Sequence, residues 1–300
     1  MHAPSSRFLS DNTPNHFMQK SLLTLAFASA LTVTAQGAMI VRNYQPLRHD
    51  RFYTGIDKAF VGDPYNFSGV GFDSATSSWA TLISDCYFIS ATHFHPGTGE
   101  PVTFHETNSL SDPSHTYTVA GGQQINGTDL WVGWLNSAVD PSIARYSVLD
   151  LPTDPQYLGL ELYNYGLTNR VGRNVSDFLA SQTVGPSTGK TMFYDYDNLD
   201  VPSVGGDETF LQGGDSGAPS FTVFGGKLTA LGVHWAITDI FPGTNEGEYS
   251  LDTFVPSYIA DLNVVLADKN QSVSVVPEPA SITLLICVAS GLLAGRRRRA

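Results

Sequence analysis

From Asn43 to about Asp150 the chain alternates short apolar runs with turn residues: SGVGF, SSWATLI, CYFISAT, TYTVAGG, DLWVGWL and IARYSVL. Each run is strand-length and rich in aromatic and β-branched residues, which predicts strands rather than helices. The proline-bearing stretch LDLPTDPQYLG then interrupts the pattern, and a second series follows: LELYNYG, KTMFYDY, PSFTVF and LTALGVHWAIT. The pattern predicts two all-β halves, about 43–150 and 158–255, joined near 150–158. One segment has a helical period. After Pro256, SYIADLNVVLAD places Ile259, Leu262 and Val265 or Leu266 on one face, predicting a closing helix over 256–267. Residues 269–276 read as a short linker.

Composition agrees with this pattern. The 300 residues are 42% hydrophobic and only 15% charged, with 28 glycines and 17 prolines, a turn-rich β composition able to bury a core. The two ends read differently. MQKSLLTLAFASALTVTAQGA, from Met18, has a lysine, an apolar run and then small residues, as a secretory leader does, with cleavage near Ala35 or Ala38 and a true start at Met18 or further upstream. Residues 1–38 are therefore read as a signal region.

At the other end stand Pro277-Glu278-Pro279, a 14-residue apolar run from Ile282 to Gly295, and Arg296 to Arg299. Fourteen helical residues rise about 21 Å, less than a hydrocarbon core of about 30 Å, and the arginines would stay cytoplasmic. Motif, order and position resemble the PEP-CTERM sorting signal of Gram-negative bacteria. The resemblance implies export, a transient membrane association through residues 277–300, and an exosortase-type enzyme as partner. The destination would be periplasm, cell surface or medium. A permanent C-terminal anchor is the plainer alternative.

Residues 1–38 carry a net +1 and residues 277–300 a net +3, so the formal −12 of the chain becomes −16 between them. An acidic body argues against nucleic acid as a partner. Of two cysteines, Cys287 lies in the tail, so the body keeps only Cys86 and no internal disulfide. Cys86 reads as a small buried hydrophobe. Asp195 to Asp200, DYDNLD, hints at calcium, but the glycine and closing glutamate of an EF-hand are missing, and a solvated acidic loop is the simpler reading.

Three short stretches carry candidate chemistry. FISATHFHP puts His93 at the end of an apolar strand, where a neutral imidazole can take and return a proton. His93 and His95 also share one face of an extended strand, with His105 downstream, which leaves a metal-dependent hydrolase as an alternative. NGTDLWVGWL puts Asp129 at the head of a strand, where it could orient a histidine or merely serve a turn. LQGGDSGAPS surrounds Ser216 with Gly213, Gly214 and Gly217, which permit backbone angles closed to other residues. In such a loop the Gly214 and Ser216 amides can converge on an oxyanion. Asp215 would hold the loop in shape.

S-A-T-H, T-D-L and G-G-D-S-G-A-P, in that order, resemble the trypsin-like (chymotrypsin-fold) serine peptidases over about residues 40–268. The spacings, 36 residues from His93 to Asp129 and 87 from Asp129 to Ser216, suit a compact member. ELYNYG resembles the strand opening the second barrel, and GGKLTALGVHWAI the strand that pairs with substrate backbone. The resemblance implies an all-β fold of two six-stranded β-barrels with a C-terminal helix. It also implies a catalytic triad of His93, Asp129 and Ser216, an oxyanion hole from Gly214 and Ser216, a protein or peptide substrate, a monomer and no cofactor. His234, Trp235 and Ala236 fall where the family lines its specificity pocket, His234 standing where a serine is common and Ala236 where a glycine is common. Phe210 falls at the pocket floor, implying small or apolar P1 side chains. Thr92 replaces an alanine before the histidine, and the family's disulfides are absent. In much of the family a freshly cut terminus pairs with the acid before the serine. Here Ile40-Val41 follows the leader, so either leader removal exposes a usable terminus or no such switch is needed. The alternative from another class is a non-catalytic β-rich surface or matrix protein on the same fold.

Overall fold

The computed structural model describes residues 37–196, 204–238 and 249–277. The leader, most of the Asp195–Asp200 loop and all but Pro277 of the sorting tail lie outside the described residues. Among the described residues no helix is long and apolar enough to cross a membrane.

The chain opens with a two-residue strand, β1 (Ile40–Val41), and one helical turn, α1 (Pro46–His49). Six strands follow: β2 (Val70–Asp73), β3 (Ser78–Leu82), β4 (Tyr87–Ala91), β5 (Pro101–His105), β6 (Ser114–Gln124) and β7 (Leu130–Leu135). They close into an antiparallel barrel in the order β2-β3-β4-β7-β6-β5, sealed where Phe72 pairs with Thr103. Trp79, Phe88, Ile89, Val102, Phe104 and Val132 of its strands are all buried in the apolar core.

The second unit is built from β8 (Ser147–Leu149), β9 (Glu161–Gly166), β10 (Arg170–Val175), β11 (Phe178–Val184), β12 (Ser187–Asp195), β13 (Thr209–Phe210), β14 (Pro219–Phe224), β15 (Lys227–Thr238) and β16 (Tyr249–Phe254). Its ladder runs β10-β9-β14-β15-β16-β12-β11. The two ends of that path are neighbours in sequence. Only Ser176 and Asp177 separate β10 from β11, and their amides donate to the carbonyls of Leu160 (3.0 Å) and Phe193 (2.9 Å). The pair is one bent strand shared by both edges, which closes the sheet. Counted that way, both units have six strands in the same spatial order, first-second-third-sixth-fifth-fourth. The architecture is all-β, two six-stranded β-barrels of the chymotrypsin type with a C-terminal helix.

The helix begins as a 3₁₀ turn (Val255–Tyr258) and continues as α2 (Ile259–Leu266), burying Leu262, Val265 and Leu266 and leaving Val264 in solvent. That is the face the periodicity predicts. Several elements depart from the pattern. IARYSVL yields β8, which pairs in parallel with β15 of the second barrel rather than joining the first. Pro101–His105 is a strand with only Val102 and Phe104 turned inward, too short an alternation to stand out. β16 is buried throughout, yet Ser250, Asp252 and Thr253 interrupt its apolar character. The supposed linker is packed structure: Val273 is buried, and β17 (Val275–Val276) adds in parallel to β8.

Candidate active site

Register places His93 beside Asp129. In the β4–β7 ladder Ala91 pairs with Leu130, so the residues just beyond β4 meet the residue just before β7. Thr92 N–H donates to the Asp129 carbonyl at 2.6 Å, and His93 N–H donates to Asp129 Oδ1 at 3.2 Å. Asp129 Oδ2 then lies 2.8 Å from His93 Nδ1, and His93 Nε2 lies 2.9 Å from Ser216 Oγ. Against an ionised carboxylate Nδ1 carries the proton, which leaves Nε2 to accept from the serine hydroxyl. Asp129 is buried, and burial raises its carboxyl pKa against the lowering pull of the His93 ring. The ring itself is open to solvent on the cleft side.

Ser216 comes from the second barrel, in the loop between β13 and β14. Its backbone depends on glycine at two positions. Gly214 has φ of 109° and Gly217 of 83°, both left-handed. A Cβ at Gly217 would also meet Ser90 Oγ at 2.6 Å and the Phe94 carbonyl at 2.9 Å. Two of the loop's carbonyls are held by donors from outside the cleft lining. Trp79 Nε1 donates to Gly214 O at 3.2 Å, and Ala218 N–H donates to Asp215 O at 3.0 Å. In a trans peptide the N–H points opposite to its own carbonyl, so the Asp215–Ser216 unit aims the Ser216 N–H the other way. Among the described residues no acceptor meets the N–H of Gly214 or of Ser216. Backbone donors are rarely left idle in a packed loop. Two such amides flank the residue that carries Oγ.

Asp215 shapes this loop from beneath. It is fully buried and accepts from Leu167 N–H and Gln212 N–H, each at 2.7 Å. Burial pushes its carboxyl up to about 6 in spite of those donors. Next to it lies a second histidine–aspartate pair that the sequence gives no reason to expect. His234 Nδ1 is 2.7 Å from Asp252 Oδ1, and Nε2 is 2.8 Å from the Tyr165 carbonyl. A carbonyl only accepts, so Nε2 carries a proton; the carboxylate takes the other. Burial alone would lower the His234 pKa, but the charge and hydrogen bond of Asp252 outweigh it and raise the pKa, which favours the charged ring. Tyr194 OH (3.0 Å) and Ser220 Oγ also donate to Asp252. Asn164 Nδ2 in turn donates to Ser220 Oγ at 2.7 Å. The His234 backbone grips the Ser216 loop: Gly217 N–H donates to His234 O at 3.0 Å, and His234 N–H to Ala218 O at 2.9 Å.

A cleft of about 350 Å³ opens beside Ser216, lined by Leu211, Gln212, Gly213, Asp215, His234, Trp235, Ala236 and Ile237. His234, Trp235 and Ala236, expected at a specificity pocket, line this cleft. Phe210 does not line the cleft. It is buried in β13, where its ladder partner is Ile40 and its ring lies 6.0 Å from Tyr196. The short strand pairing with β1 turns it under the amino-terminal segment, and Leu211 takes the wall instead. The three histidines of the metal alternative do not converge. His95 stacks on Trp131 with ring centroids 3.8 Å apart, and His105 packs edgewise on Phe52. Glu106, His115 and Asp140 do bring ligand atoms within 4.8 Å of one another, as partly exposed side chains of the first barrel and the loop after it. Of the acidic loop, Asp195 lies within the ladder, its amide bonded to Asp177.

No family model matches the chain, and no curated protein matches it. Among solved structures it is similar to the NS6 protease from murine norovirus 1, with a TM-score of 0.39 and 20% identity over 62% of this chain and 89% of that one. It is also similar to an inactive mutant of the murine norovirus NS6 protease carrying a C-terminal extension, with a TM-score of 0.36 and 18% identity over 61% of this chain and 95% of that one.

Proposed function

We propose that this protein is a serine endopeptidase. The observation that carries the reading is the continuous line Asp129–His93–Ser216, with links of 2.8 and 2.9 Å, beside two amides that have no partner among the described residues. Ser216 Oγ attacks the scissile carbonyl carbon while its proton passes to His93 Nε2. Asp129 holds the ring in the required tautomer and stabilises the imidazolium. The negative oxygen is met by the N–H groups of Gly214 and Ser216. His93 returns the proton to the leaving amine, and a water activated by the same ring then cleaves the acyl-enzyme.

Within the described lining, the only carboxylate at the cleft, Asp215, is wrapped by amide donors and not free for a basic P1 side chain. Leu211, Trp235, Ala236 and Ile237 favour small or apolar P1 residues, a preference that no longer draws on Phe210. Export and exosortase-dependent sorting belong to the same proposal, supported by the two sequence ends.

The purified full chain is expected to label at Ser216 with a fluorophosphonate and to hydrolyse peptides with small or apolar P1 residues. Folded protein that neither labels nor cleaves removes the reading; clear preference for P1 arginine or lysine removes its specificity.

A further inference from the structure

The residues ahead of the first barrel reach the back of the nucleophile loop. Gly37 N–H donates to Gly213 O at 3.0 Å. Two residues on, the Met39 side chain is fully buried against the second barrel. Ile40 and Val41 pair with Phe210 and Thr209, immediately before the loop. Outside this ladder Arg170 Nη1 donates to Met39 O at 2.7 Å, and Arg42 forms an ion pair with the buried Glu208. Segment 37–42 is thus a strap held at three places along 208–213.

Its contact at Gly213 bears on the proposed chemistry. The Gly213–Gly214 peptide is planar and trans, so fixing its carbonyl toward Gly37 fixes the Gly214 N–H in the opposite direction. A peptide between two glycines has little else to prevent its rotation. Three carbonyls in a row therefore have donors that set the loop: Gly213 from Gly37, Gly214 from Trp79, Asp215 from Ala218. The first of these comes from outside both barrels.

We propose that Gly37–Val41, as an uncut peptide, positions the Gly214 amide for oxyanion binding, with Gly37 and Met39 as positioning residues. The inference rests on the peptidase reading. It dispenses with a freshly cut terminus, because main-chain amides of an intact segment do the holding. It also assigns the leader boundary: cleavage after Ala35 keeps the Gly37 donor, whereas cleavage after Ala38 deletes it.

The test compares full-chain wild type with Gly37→Ala and Gly37→Pro. Alanine keeps the N–H, and its Cβ would sit 3.6 Å from the Gln212 side chain, an ordinary contact. Proline removes the N–H while also fixing φ at about −65° and restricting the residue before it, which is why a second variant is needed. Arg170→Leu, which loosens the strap at Met39 without touching Gly37, serves as a second variant. Steady-state kinetics on one peptide, fluorophosphonate labelling rates, thermal denaturation and intact mass are read on each. Loss of a whole oxyanion donor costs roughly 10²–10³-fold in kcat, so Gly37→Pro is expected to lose about 10–100-fold with KM changed less than about threefold. Arg170→Leu should lose kcat in the same sense, Gly37→Ala should stay within about twofold of wild type, and the active form should begin at or before Gly37. Unchanged kcat and labelling in a folded Gly37→Pro, or in Arg170→Leu, overturns the strap. Full activity from a form beginning at Met39 also overturns it. Wild-type protein that does not label at Ser216 instead overturns the peptidase reading, and the strap's role falls with it.

Discussion

The two barrels have the same strand order but hold their halves of the site by different means. The first presents His93 and Asp129 from strands packed into an apolar core that includes Trp79, Phe88, Ile89 and Val132. The second presents Ser216 from a glycine loop clamped by buried polar groups: Asp215 below it, His234 and Asp252 beside it, Ser220, Asn164 and Tyr194 beyond. Apolar packing is non-directional and tolerates small shifts, whereas a carboxylate shared among fixed donors specifies one geometry. A histidine base on a strand end needs only the first. Two amides and a hydroxyl that must converge on one atom need the second.

Breaking the line between the barrels should have the largest effect. Ser216→Ala and His93→Ala are each expected to lower kcat about 10⁴–10⁶-fold, and the double variant to lose little more than either alone, since the two act as a unit. A double variant whose losses multiplied would separate the barrels' contributions and break this description of the site.

Next in size is the contrast between the interiors. Asp252→Ala leaves the buried His234 ring without its carboxylate partner, and Phe88→Ala opens a cavity, so each should cost about 3–5 kcal/mol. For a domain of this size that lowers Tm by roughly 6–20 °C. pH tells them apart. His234, paired, has a raised pKa, so its contribution is present below about 6.5 and lost as pH rises through the raised value. The Asp252→Ala deficit should therefore shrink at alkaline pH, where the ring can neutralise, while the Phe88→Ala deficit stays flat. Equal pH slopes would make the polar lattice energetically ordinary.

Asp215 gives a smaller effect of the same sign. Its carboxyl ionises near 6 in the folded chain and at 3.8 otherwise, so between those values the folded state keeps a proton that the unfolded state has lost. Stability should fall by about 2 kcal/mol as pH rises from 4 to 6 relative to Asp215→Asn, read from denaturant midpoints across that range. Asp207 works the other way: its buried carboxyl, gripped by Arg48, His49 and Arg173, is held well below the usual range. Its contribution is present above about 4 and lost as pH falls through the depressed value. Smallest of all, Asp85→Asn breaks a solvent-exposed pair with Arg145 in the first barrel and should change stability by less than about 1 kcal/mol.

The same contrast decides what was legible in the sequence. The first barrel shows itself because its strands are apolar runs, and the SATH, TDL and GGDSGAP stretches point to the three residues that the structure brings together. β16 and the bent β10–β11 strand are hard to see for one reason. Their residues serve hydrogen bonds and ion pairs inside the fold: Asp252 meets His234, Asn174 bonds the Thr209 carbonyl, and Arg173 meets Asp207. Phe210 is misplaced by counting back from Ser216, because counting along the chain cannot register that β13 pairs with β1. The strap is invisible for a related reason. Its work is done by main-chain amides, and a sequence records side chains.

The 2.9 Å contact from His93 to Ser216 joins residues 123 positions apart and bridges the seam between the two barrels. It therefore serves as a gauge of shear along that seam. A slide of one barrel past the other by an ångström would break it while leaving both cores filled and every ladder paired. On gentle heating or in dilute denaturant, labelling at Ser216 should fade before circular dichroism or tryptophan emission changes, so inactivation would mark slippage between intact barrels rather than the melting of either.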